Sequence, residues 1–277
     1  MMNSMLRNTL HERRATDSYW VVIPAYNEAA TVRDVATRAR RQCPNVIVVD
    51  DGSSDGTGQV LTGLDVTVLR NNKNCGKAGS LTRGFDHALA QGAIGVLTLD
   101  GDGQHAPEEI PLFLNQATAH PNAFLVGARK SGQRRVSFWR YVANRVADFW
   151  IGWAAGTSIE DSQSGFRLYP AELLREVSIP HGLAASFVYE SEILIEAARR
   201  RFVIRKVPVS VSPRSGSRPS HFRPVLDIVR IARMVAWKLV SRRMHLTAHN
   251  RTFKRHRGMA QPEPGYCDRE VAGQVRK

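Results

Sequence analysis

Residues Val96 to Pro107 read V-L-T-L-D-G-D-G-Q-H-A-P, an apolar run that changes abruptly to acidic and glycine residues. The apolar part, Ile94 to Leu99, contains β-branched residues. This pattern predicts a buried parallel strand that opens into a glycine-containing loop. Asp100 and Asp102 would then lie at the carboxyl end of a strand, where open α/β sheets bind their ligands.

These two carboxylates, followed by Gln104 and His105, can offer hard oxygen ligands to a divalent cation. A cation bound there would in turn hold a diphosphate group. The alternative is that each Asp-Gly pair only forms a turn whose carboxylate faces water. Polar loops also follow the other strands that the sequence predicts, and together they favour the cation site.

Length, amino-acid composition and net charge limit the classes of protein to which the chain can belong. The chain has 277 residues and is 43% hydrophobic, which suits one substantial core. Its formal net charge of +14 predicts an anionic partner, which could be nucleic acid, an anionic membrane surface or a phosphorylated substrate. Three widely spaced cysteines without metal-ligand spacing indicate a reducing compartment. No uncharged apolar run reaches the roughly 18 to 20 residues of a membrane-spanning helix.

Strand and helix patterns alternate through the first half of the chain, which predicts a parallel sheet. Asp55 or Thr57 is expected to cap a short helix that extends to Leu64. The expected strands are 19–24, 46–49, 66–69, 94–99 and 123–127, and the expected helices are about 29–41, from the loop 71–79 to 90, and from 107 to 119.

The second half is organised differently. The polar turn at 161–169 leads into a short strand, and its Asp161 and Arg167 are either site residues or members of a buried ion pair. The further elements expected are an aromatic-rich amphipathic helix at 137–155, helices at about 170–176 and 187–200, one or two strands within 202–211, a basic loop at 214–218 and an amphipathic helix at 225–240. Each amphipathic helix fits either core packing or contact with a membrane surface.

Four motifs occur in order: V-V-I-P-A-Y-N-E, V-V-D-D-G-S-S-D-G-T, N-x-G-K-A-G and T-L-D-G-D-G-Q-H. Together they resemble the family 2 glycosyltransferases over about 19–218. The fold expected is therefore α/β of GT-A type, with a twisted, parallel-rich sheet that binds a nucleotide sugar, flanking helices and a C-terminal amphipathic helix. The later segments D-S-Q-S-G-F-R-L-Y and R-S-G-S-R look like the branch of dolichyl-phosphate mannose and polyprenyl-phosphate sugar synthases.

The resemblance implies a set of nucleotide-binding residues. Asp51 would accept hydrogen bonds from the N–H edge of the base, and Lys77 would approach the nucleotide. The full set that the motifs indicate is Pro24, Tyr26, Glu28, Asp51, Lys77 and Asp100.

The resemblance also implies a site for Mg²⁺ or Mn²⁺. Asp102 would bind the metal directly, Asp100 would contact metal-bound water or the ribose, and Gln104 would complete the set. Arg129 and Arg214 would meet phosphate groups.

The expected reaction is an inverting transfer, in which the cation and arginines stabilise the leaving nucleoside diphosphate. The leading acceptor is a polyprenyl phosphate, which is already anionic and needs no strong base. The alternative is a hydroxyl acceptor, such as a glycolipid or secondary metabolite, for which Asp161 is the first candidate base and Glu190 the second. For either residue, positioning of the acceptor is an equally open role.

These expectations divide the chain into a flexible leader at 1–18, a catalytic domain at 19–218, a basic amphipathic helix at 219–246 and a disordered tail at 247–277. The expected partners are a UDP- or GDP-sugar, a lipid acceptor and an anionic membrane surface, with the protein peripheral on the cytoplasmic face of the cell membrane. A nonenzymatic nucleic-acid-binding protein is the distant alternative. No zinc, aromatic RNA-binding or helix-turn-helix pattern supports it.

Overall fold

The structure, a computed structural model, describes residues 17–129, 148–149, 151–153, 164–177, 179 and 189–211. Within the helix expected at 137–155, the described residues 148–149 and 151–153 are helical, and Ile151 is buried in the core. Most of the leader, the helix at 219–246 and the tail at 247–277 lie outside the described residues, so these remain expectations.

A seven-stranded sheet forms the centre of the described structure. Its strands are β1 (Tyr19–Ala25), β2 (Val46–Asp50), β3 (Thr67–Arg70), β4 (Gly95–Thr98), β5 (Ala123–Arg129), β6 (Arg167–Pro170) and β7 (Val203–Val209). Their order across the sheet is β3-β2-β1-β4-β6-β5-β7. All pairings are parallel except those of β6, which runs antiparallel to both β4 and β5. The predicted parallel-rich sheet is confirmed, with β6 as its one reversed strand.

Helices cover both faces of this sheet, which explains why the central strands are continuously apolar. The helices are α1 (Val32–Gln42), α2 (Gly76–Ala90), α3 (Ile110–Ala119), α4 (Ala171–Glu176) and α5 (Tyr189–Arg199). Val22 and Ile47 pack with residues of α2 and α5 on one face, and Val21 and Ile23 pack with residues of α1 and α3 on the other. None of the helices in the described part of the chain has the length and apolar composition to cross a membrane.

The prediction of a helix that extends to Leu64 is wrong. Only a 3₁₀ turn forms there, at Gln59–Leu61, and no side chain caps it. Asp55 Oδ1 accepts the N–H of Thr57 within its own loop. In addition, Asp55 Oδ2 accepts a hydrogen bond from the backbone N–H of Ala29, and Thr57 accepts one from the N–H of Glu28. Their side chains therefore join two neighbouring loops instead of starting a helix.

Candidate active site

The motif residues converge at one edge of the sheet. In the sheet order β1 lies between β2 and β4, so the loops that follow these three parallel strands are neighbours. The backbone continues this contact beyond the strands, where the N–H of Asp51 donates to the carbonyl of Ala25 at 2.9 Å. The edge formed by the carboxyl ends of parallel strands is the usual ligand site of such folds.

The loop after β1 is held by hydrogen bonds to the loop after β2. The N–H of Asn27 donates to Ser53 Oγ, and the N–H of Ser54 donates to Asn27 Oδ1, each at 2.9 Å. Asn27 has a φ of 55°, a left-handed conformation that asparagine tolerates better than most residues. Tyr26 beside it is 40% exposed and Glu28 is half-buried, so this loop presents side chains at the sheet edge.

The two aspartates after β2 differ in their surroundings. Asp50 is fully buried, and its Oδ1 accepts a hydrogen bond from the N–H of Ser53 within the same loop. Asp51 Oδ1 accepts hydrogen bonds from Asn71 Nδ2 at 2.7 Å and from the N–H of Cys75 at 2.9 Å. Asp50 thus shapes its own loop, whereas Asp51 joins β2 to the start of α2. Sequence reasoning missed Asn71, although it lies in the loop that the N-x-G-K-A-G motif follows.

A charged cluster lies between α2, the loop after β4 and α5. Lys77, in the first turn of α2, has its Nζ 2.8 Å from Asp100 Oδ1 and 2.9 Å from Glu190 Oε2. Burial alone would lower the pKa of Lys77, but the two carboxylates raise it above its ordinary value. Burial alone would raise the pKa of Asp100, but the Lys77 ammonium holds it below its ordinary value. Both groups are therefore charged at neutral pH.

The buried side chain of Arg167 contacts this cluster through Glu190. Its side chain is only 1% exposed, and it donates from Nη1 to the Glu190 carbonyl and from Nε to the Ser164 carbonyl, each at 2.7 Å. Its Nε is also 3.9 Å from Glu190 Oε1. Arg167 forms a buried ion pair with Glu190, a partner that the sequence did not predict, and its role as a site residue stays a prediction.

Gly165 allows Asp100 to take its position. A Cβ atom at residue 165 would lie 2.2 Å from Asp100 Oδ2 and 2.7 Å from its Cγ, far inside van der Waals contact. Glycine therefore fits here because of close packing. The sequence offered a signal in S-G-F-R, but nothing in it indicated which side chain the glycine accommodates.

Asp102 and Gln104 interact closely within the loop after β4. Asp102 Oδ1 accepts the backbone N–H of Gln104 at 3.0 Å, and Asp102 Oδ2 accepts its side-chain amide. His105 follows, packed 5.4 Å from the Phe166 ring, and its buried Nδ1 has no hydrogen-bond partner among the residues described. Burial lowers the pKa of His105, partly against the effect of the Asp100 and Asp102 carboxylates, which keeps the ring neutral.

The donor set of Asp100, Asp102 and Gln104 fits Mg²⁺ or Mn²⁺ in chemical type, since all three carry oxygen atoms that such cations prefer. Across the described ranges, no group of three or more His, Cys, Asp and Glu side chains is arranged to hold a metal. A cation at this edge would therefore need the Gln104 amide, water or phosphate oxygens to complete its shell. That arrangement is typical of Mg²⁺ bound together with a substrate phosphate.

Of the other site residues that the sequence predicts, the structure describes Arg129 and Pro24. Arg129 ends β5, whose carboxyl end lies at the same edge as that of β4 because both strands pair antiparallel to β6. Asp161 and Arg214 lie outside the described residues, and their roles stay predictions. Pro24 lies near the end of β1, in the loop region that Asn27 and Ser53 hold.

A comparison with protein families identifies a match across the described site. The sequence profile of glycosyl transferase family 2 matches residues 20–184, more than half of the chain. This range includes Asp51, Lys77, Asp100 and Asp102 but ends before Glu190.

Individual proteins agree with this match. The chain is 29% identical over 212 residues to polyprenol monophosphomannose synthase of Mycolicibacterium smegmatis, which covers 73% of this chain and 80% of that protein. It is 28% identical over 211 residues to UDP-N-acetylglucosamine–dolichyl-phosphate N-acetylglucosaminyltransferase of Methanococcus voltae, which covers 69% of this chain and 84% of that protein.

A solved structure shares the fold. Glucosyl-3-phosphoglycerate synthase of Mycobacterium tuberculosis, in complex with Mn²⁺, UDP-glucose and phosphoglyceric acid, superposes with a TM-score of 0.62. The identity is 22%, and the superposition covers 81% of this chain and 79% of that one. The expected GT-A type of fold is confirmed.

Proposed function

Because the chain belongs to glycosyl transferase family 2, we propose that it is an inverting, cation-dependent enzyme that transfers a sugar from a nucleoside diphosphate to a polyprenyl phosphate. One observation carries the proposal: the carboxylates that follow β2 and β4, the strands on either side of β1, are joined through the start of α2. Asp51 binds the N–H of Cys75, and Asp100 binds the ammonium group of Lys77. The short segment 75–77 thereby contacts both the proposed base-binding carboxylate and the proposed cation-binding carboxylate.

The nucleotide would lie across the loops that follow β1, β2 and β4. Asp51 would accept hydrogen bonds from the base, a role supported by its buried and oriented carboxylate. Pro24, Tyr26 and Glu28 would line the nucleotide from the neighbouring loop. Lys77 would meet the diphosphate.

Asp100, Asp102 and Gln104 would hold Mg²⁺ or Mn²⁺ through their oxygen atoms. A cation bound there offsets negative charge on the leaving nucleoside diphosphate. Arg129 and Arg214 would direct further positive charge toward the phosphates. The Mn²⁺ in the structure of the fold relative from M. tuberculosis is consistent with this proposal.

The acceptor phosphate would supply an anionic oxygen that forms the new bond to the anomeric carbon. The bond from that carbon to the donor's β-phosphate oxygen breaks, and its electron pair leaves with the nucleoside diphosphate. Attack from the opposite face inverts the anomeric centre. A phosphate monoester has a second pKa of about 6, so this acceptor needs no strong base. Two relatives, named for polyprenol monophosphomannose and for dolichyl phosphate, support this choice.

The experiment that tests the function has two stages. Thermal unfolding of the full chain with Mn²⁺ and a panel of UDP- and GDP-sugars identifies the donor by the stabilisation that it produces. Transfer from that donor is then measured to a polyprenyl phosphate and to hydroxyl acceptors, including glycolipids. Transfer to the polyprenyl phosphate is expected, and transfer to hydroxyl acceptors alone would reject the acceptor proposed.

Asp161→Asn separates the two acceptor classes further. With a phosphate acceptor, substantial transfer should survive, because no obligatory proton abstraction is lost. With a hydroxyl acceptor and Asp161 as its base, transfer should fall by about a hundredfold or more. The rate of transfer at saturating donor, compared with that of wild type across pH, distinguishes these outcomes.

The membrane acceptor and the net charge of +14 also lead us to propose peripheral attachment to the cytoplasmic face of the cell membrane. The basic amphipathic segment at 219–246 is the proposed contact. Replacing four of its cations by glutamine (Arg230, Arg233, Arg242 and Arg243) should weaken sedimentation with anionic vesicles, since each surface cation contributes about 1 kcal/mol. Equal sedimentation of variant and wild type would reject this contact.

A further inference from the structure

The ammonium group of Lys77 contacts one oxygen of the partly exposed Asp100 carboxylate. Lys77 Nζ is 2.8 Å from Asp100 Oδ1, while Asp100 Oδ2 faces Gly165 so closely that no Cβ would fit there. Both oxygens therefore already contact protein atoms. The Asp100 side chain is still 32% exposed, so a cation can approach it from the sheet edge, but the cation would then meet the ammonium group of Lys77 at Oδ1.

Charge balance explains why Lys77 stays there in the absence of a ligand. Lys77 and Arg167 carry two positive charges, and Asp100 and Glu190 carry two negative charges, so this group is neutral. Withdrawing Lys77 without a replacement would leave two carboxylates facing Arg167 alone, which is costly for partly buried groups. A divalent cation that arrived alone would instead meet the positive charge of Lys77.

A cation that arrives with a diphosphate avoids both costs. The diphosphate offers Lys77 a new anionic partner, and the cation replaces Lys77 as the partner of Asp100. The ammonium group has to move only from a carboxylate to a nearby phosphate oxygen. Its side chain is about one-third exposed, so it can turn toward a ligand at the sheet edge.

We propose that Lys77 holds, in the donor-free protein, the place beside Asp100 that a divalent cation takes in the donor complex. The nucleoside diphosphate draws Lys77 away as the cation enters, so that donor and cation strengthen each other's binding by the same factor. Glu190 is a positioning residue that keeps the released Lys77 within the site through its own contact with Nζ. The inference rests on the proposed function, because it assumes a diphosphate donor and a cation at Asp100.

The test measures binding of Mn²⁺ to the full chain from the loss of its free electron paramagnetic resonance signal, with and without UDP or GDP. Wild type should bind Mn²⁺ weakly alone and about tenfold or more tightly with its preferred nucleotide. Lys77→Met should bind Mn²⁺ alone about tenfold more tightly than wild type and gain less from the nucleotide. Lys77→Gln, which keeps a polar end, serves the same purpose if Lys77→Met does not fold.

A matched control removes the same charge without removing the contact. Lys73 is exposed in the loop that precedes α2, and no ion pair joins it to Asp100 within the structure described. Lys73→Met should leave the affinity for Mn²⁺ within about twofold of wild type, as expected for an exposed, screened charge. If Lys77→Met and Lys73→Met gained equally in affinity for Mn²⁺, the gain would come from the change in net charge and the inference would be overturned.

Glu190→Gln tests the second part of the proposal. Lys77 would then rest on Asp100 alone, so binding of Mn²⁺ without nucleotide should weaken, while Glu192→Gln on the same helix should not have this effect. In the Lys77→Met background the Glu190 substitution should matter less, since a positioning residue acts through Lys77. An undiminished effect there would make Glu190 a direct partner of the cation and would overturn its positioning role.

The measurement involves no sugar transfer, so the two proposals can fail separately. An inactive protein that still shows the gain in Lys77→Met would reject the proposed function alone. An active protein whose folded Lys77→Met variant binds Mn²⁺ no more tightly than wild type would reject the inference alone. Absence of Mn²⁺ binding in every variant, with or without nucleotide, would reject both the cation site and the inference.

Discussion

The carboxylates that follow β2 and β4 are held in different ways. Asp51, after β2, accepts hydrogen bonds from two neutral donors, the Asn71 amide and the N–H of Cys75. Asp100, after β4, is bound by the ammonium group of Lys77. The first region is joined mainly by hydroxyl and amide hydrogen bonds, and the second mainly by ion pairs.

The difference indicates which part of the site is ready before a ligand binds. A carboxylate oriented by neutral donors keeps its place when a base arrives, because no charge has to move. A carboxylate held by an ion pair can exchange its partner for another charge. Buried atoms that lack hydrogen bonds to the described residues occur in both regions: Asp50 Oδ2 in the first, and His105 Nδ1, Tyr169 Oη and Glu190 Oε1 in the second. We infer that the proposed base-binding end is preformed and that the proposed diphosphate end rearranges.

The largest effect is expected for Asp102→Asn. Loss of one charged cation ligand should lower kcat by about tenfold to a hundredfold, as even indirect changes at metal sites do. Asp51→Asn should mainly raise the KM for the donor, because a contact to the base contributes equally to ground and transition states. Steady-state kinetics with Mn²⁺ and varied donor measure both. Equal losses of kcat in the two variants would remove the distinction between the regions.

A smaller effect is expected for Gly165→Ala. The added Cβ would collide with the Asp100 carboxylate and displace it from Lys77. Displacement of a proposed cation ligand should lower kcat by up to about tenfold. Gly58→Ala is the matched control, because its Cβ would press on Asp50 Oδ2 at 2.9 Å in the other region.

Gly58→Ala should lower the free energy of unfolding by about 1 kcal/mol, the usual size of a packing defect, and should leave kcat within about twofold. Urea unfolding and initial rates of both variants give the comparison. If Gly165→Ala keeps full activity while folded, the position of Asp100 beside Gly165 is not needed for catalysis.

Much of the fold could be predicted from the sequence because local pattern and tertiary role agree in it. The β-branched runs at β1 and β2 are buried on both faces, and each run predicts one strand. The helix expected to extend to Leu64 failed because Asp55 and Thr57 bind a loop that is distant in sequence. The reversal of β6 could not be predicted, because four residues of strand carry no signal of their direction.

The candidate site likewise has a part that local sequence pattern predicts and a part that depends on packing. Motif matching indicated Asp51, Lys77 and Asp100, since each lies directly after a strand or at the start of a helix. The contacts made by Arg167 and Glu190 depend on how α5 packs against α2 and β6, which no local pattern encodes. The sequence therefore supplied the charged residues of the site, and the three-dimensional packing determines which of them pair.

The smallest effect is expected when the hydroxyl group is removed from either of two buried tyrosines near the charged cluster. Tyr169 packs against the rings of Phe85 and Phe124, but its hydroxyl has no hydrogen-bond partner in the described part of the chain. The hydroxyl of Tyr189 lies 2.9 Å from Thr82 Oγ1. Tyr169→Phe should leave the free energy of unfolding unchanged or raise it by up to about 1 kcal/mol, whereas Tyr189→Phe should lower it by about 0.5 to 1.5 kcal/mol.

The physical reason is that phenylalanine preserves ring packing in both variants, so only the hydroxyl changes. A buried hydroxyl without a partner has lost its bonds to water and gained none, so removing it costs nothing. The urea concentrations at the unfolding midpoints give the two changes in the free energy of unfolding, provided that the variants share the m-value of wild type. A loss of more than about 1 kcal/mol in Tyr169→Phe would show that this hydroxyl is bonded. The region around β4 and β6 would then have one unsatisfied buried atom fewer, and its capacity to rearrange would depend more on the ion pair of Lys77.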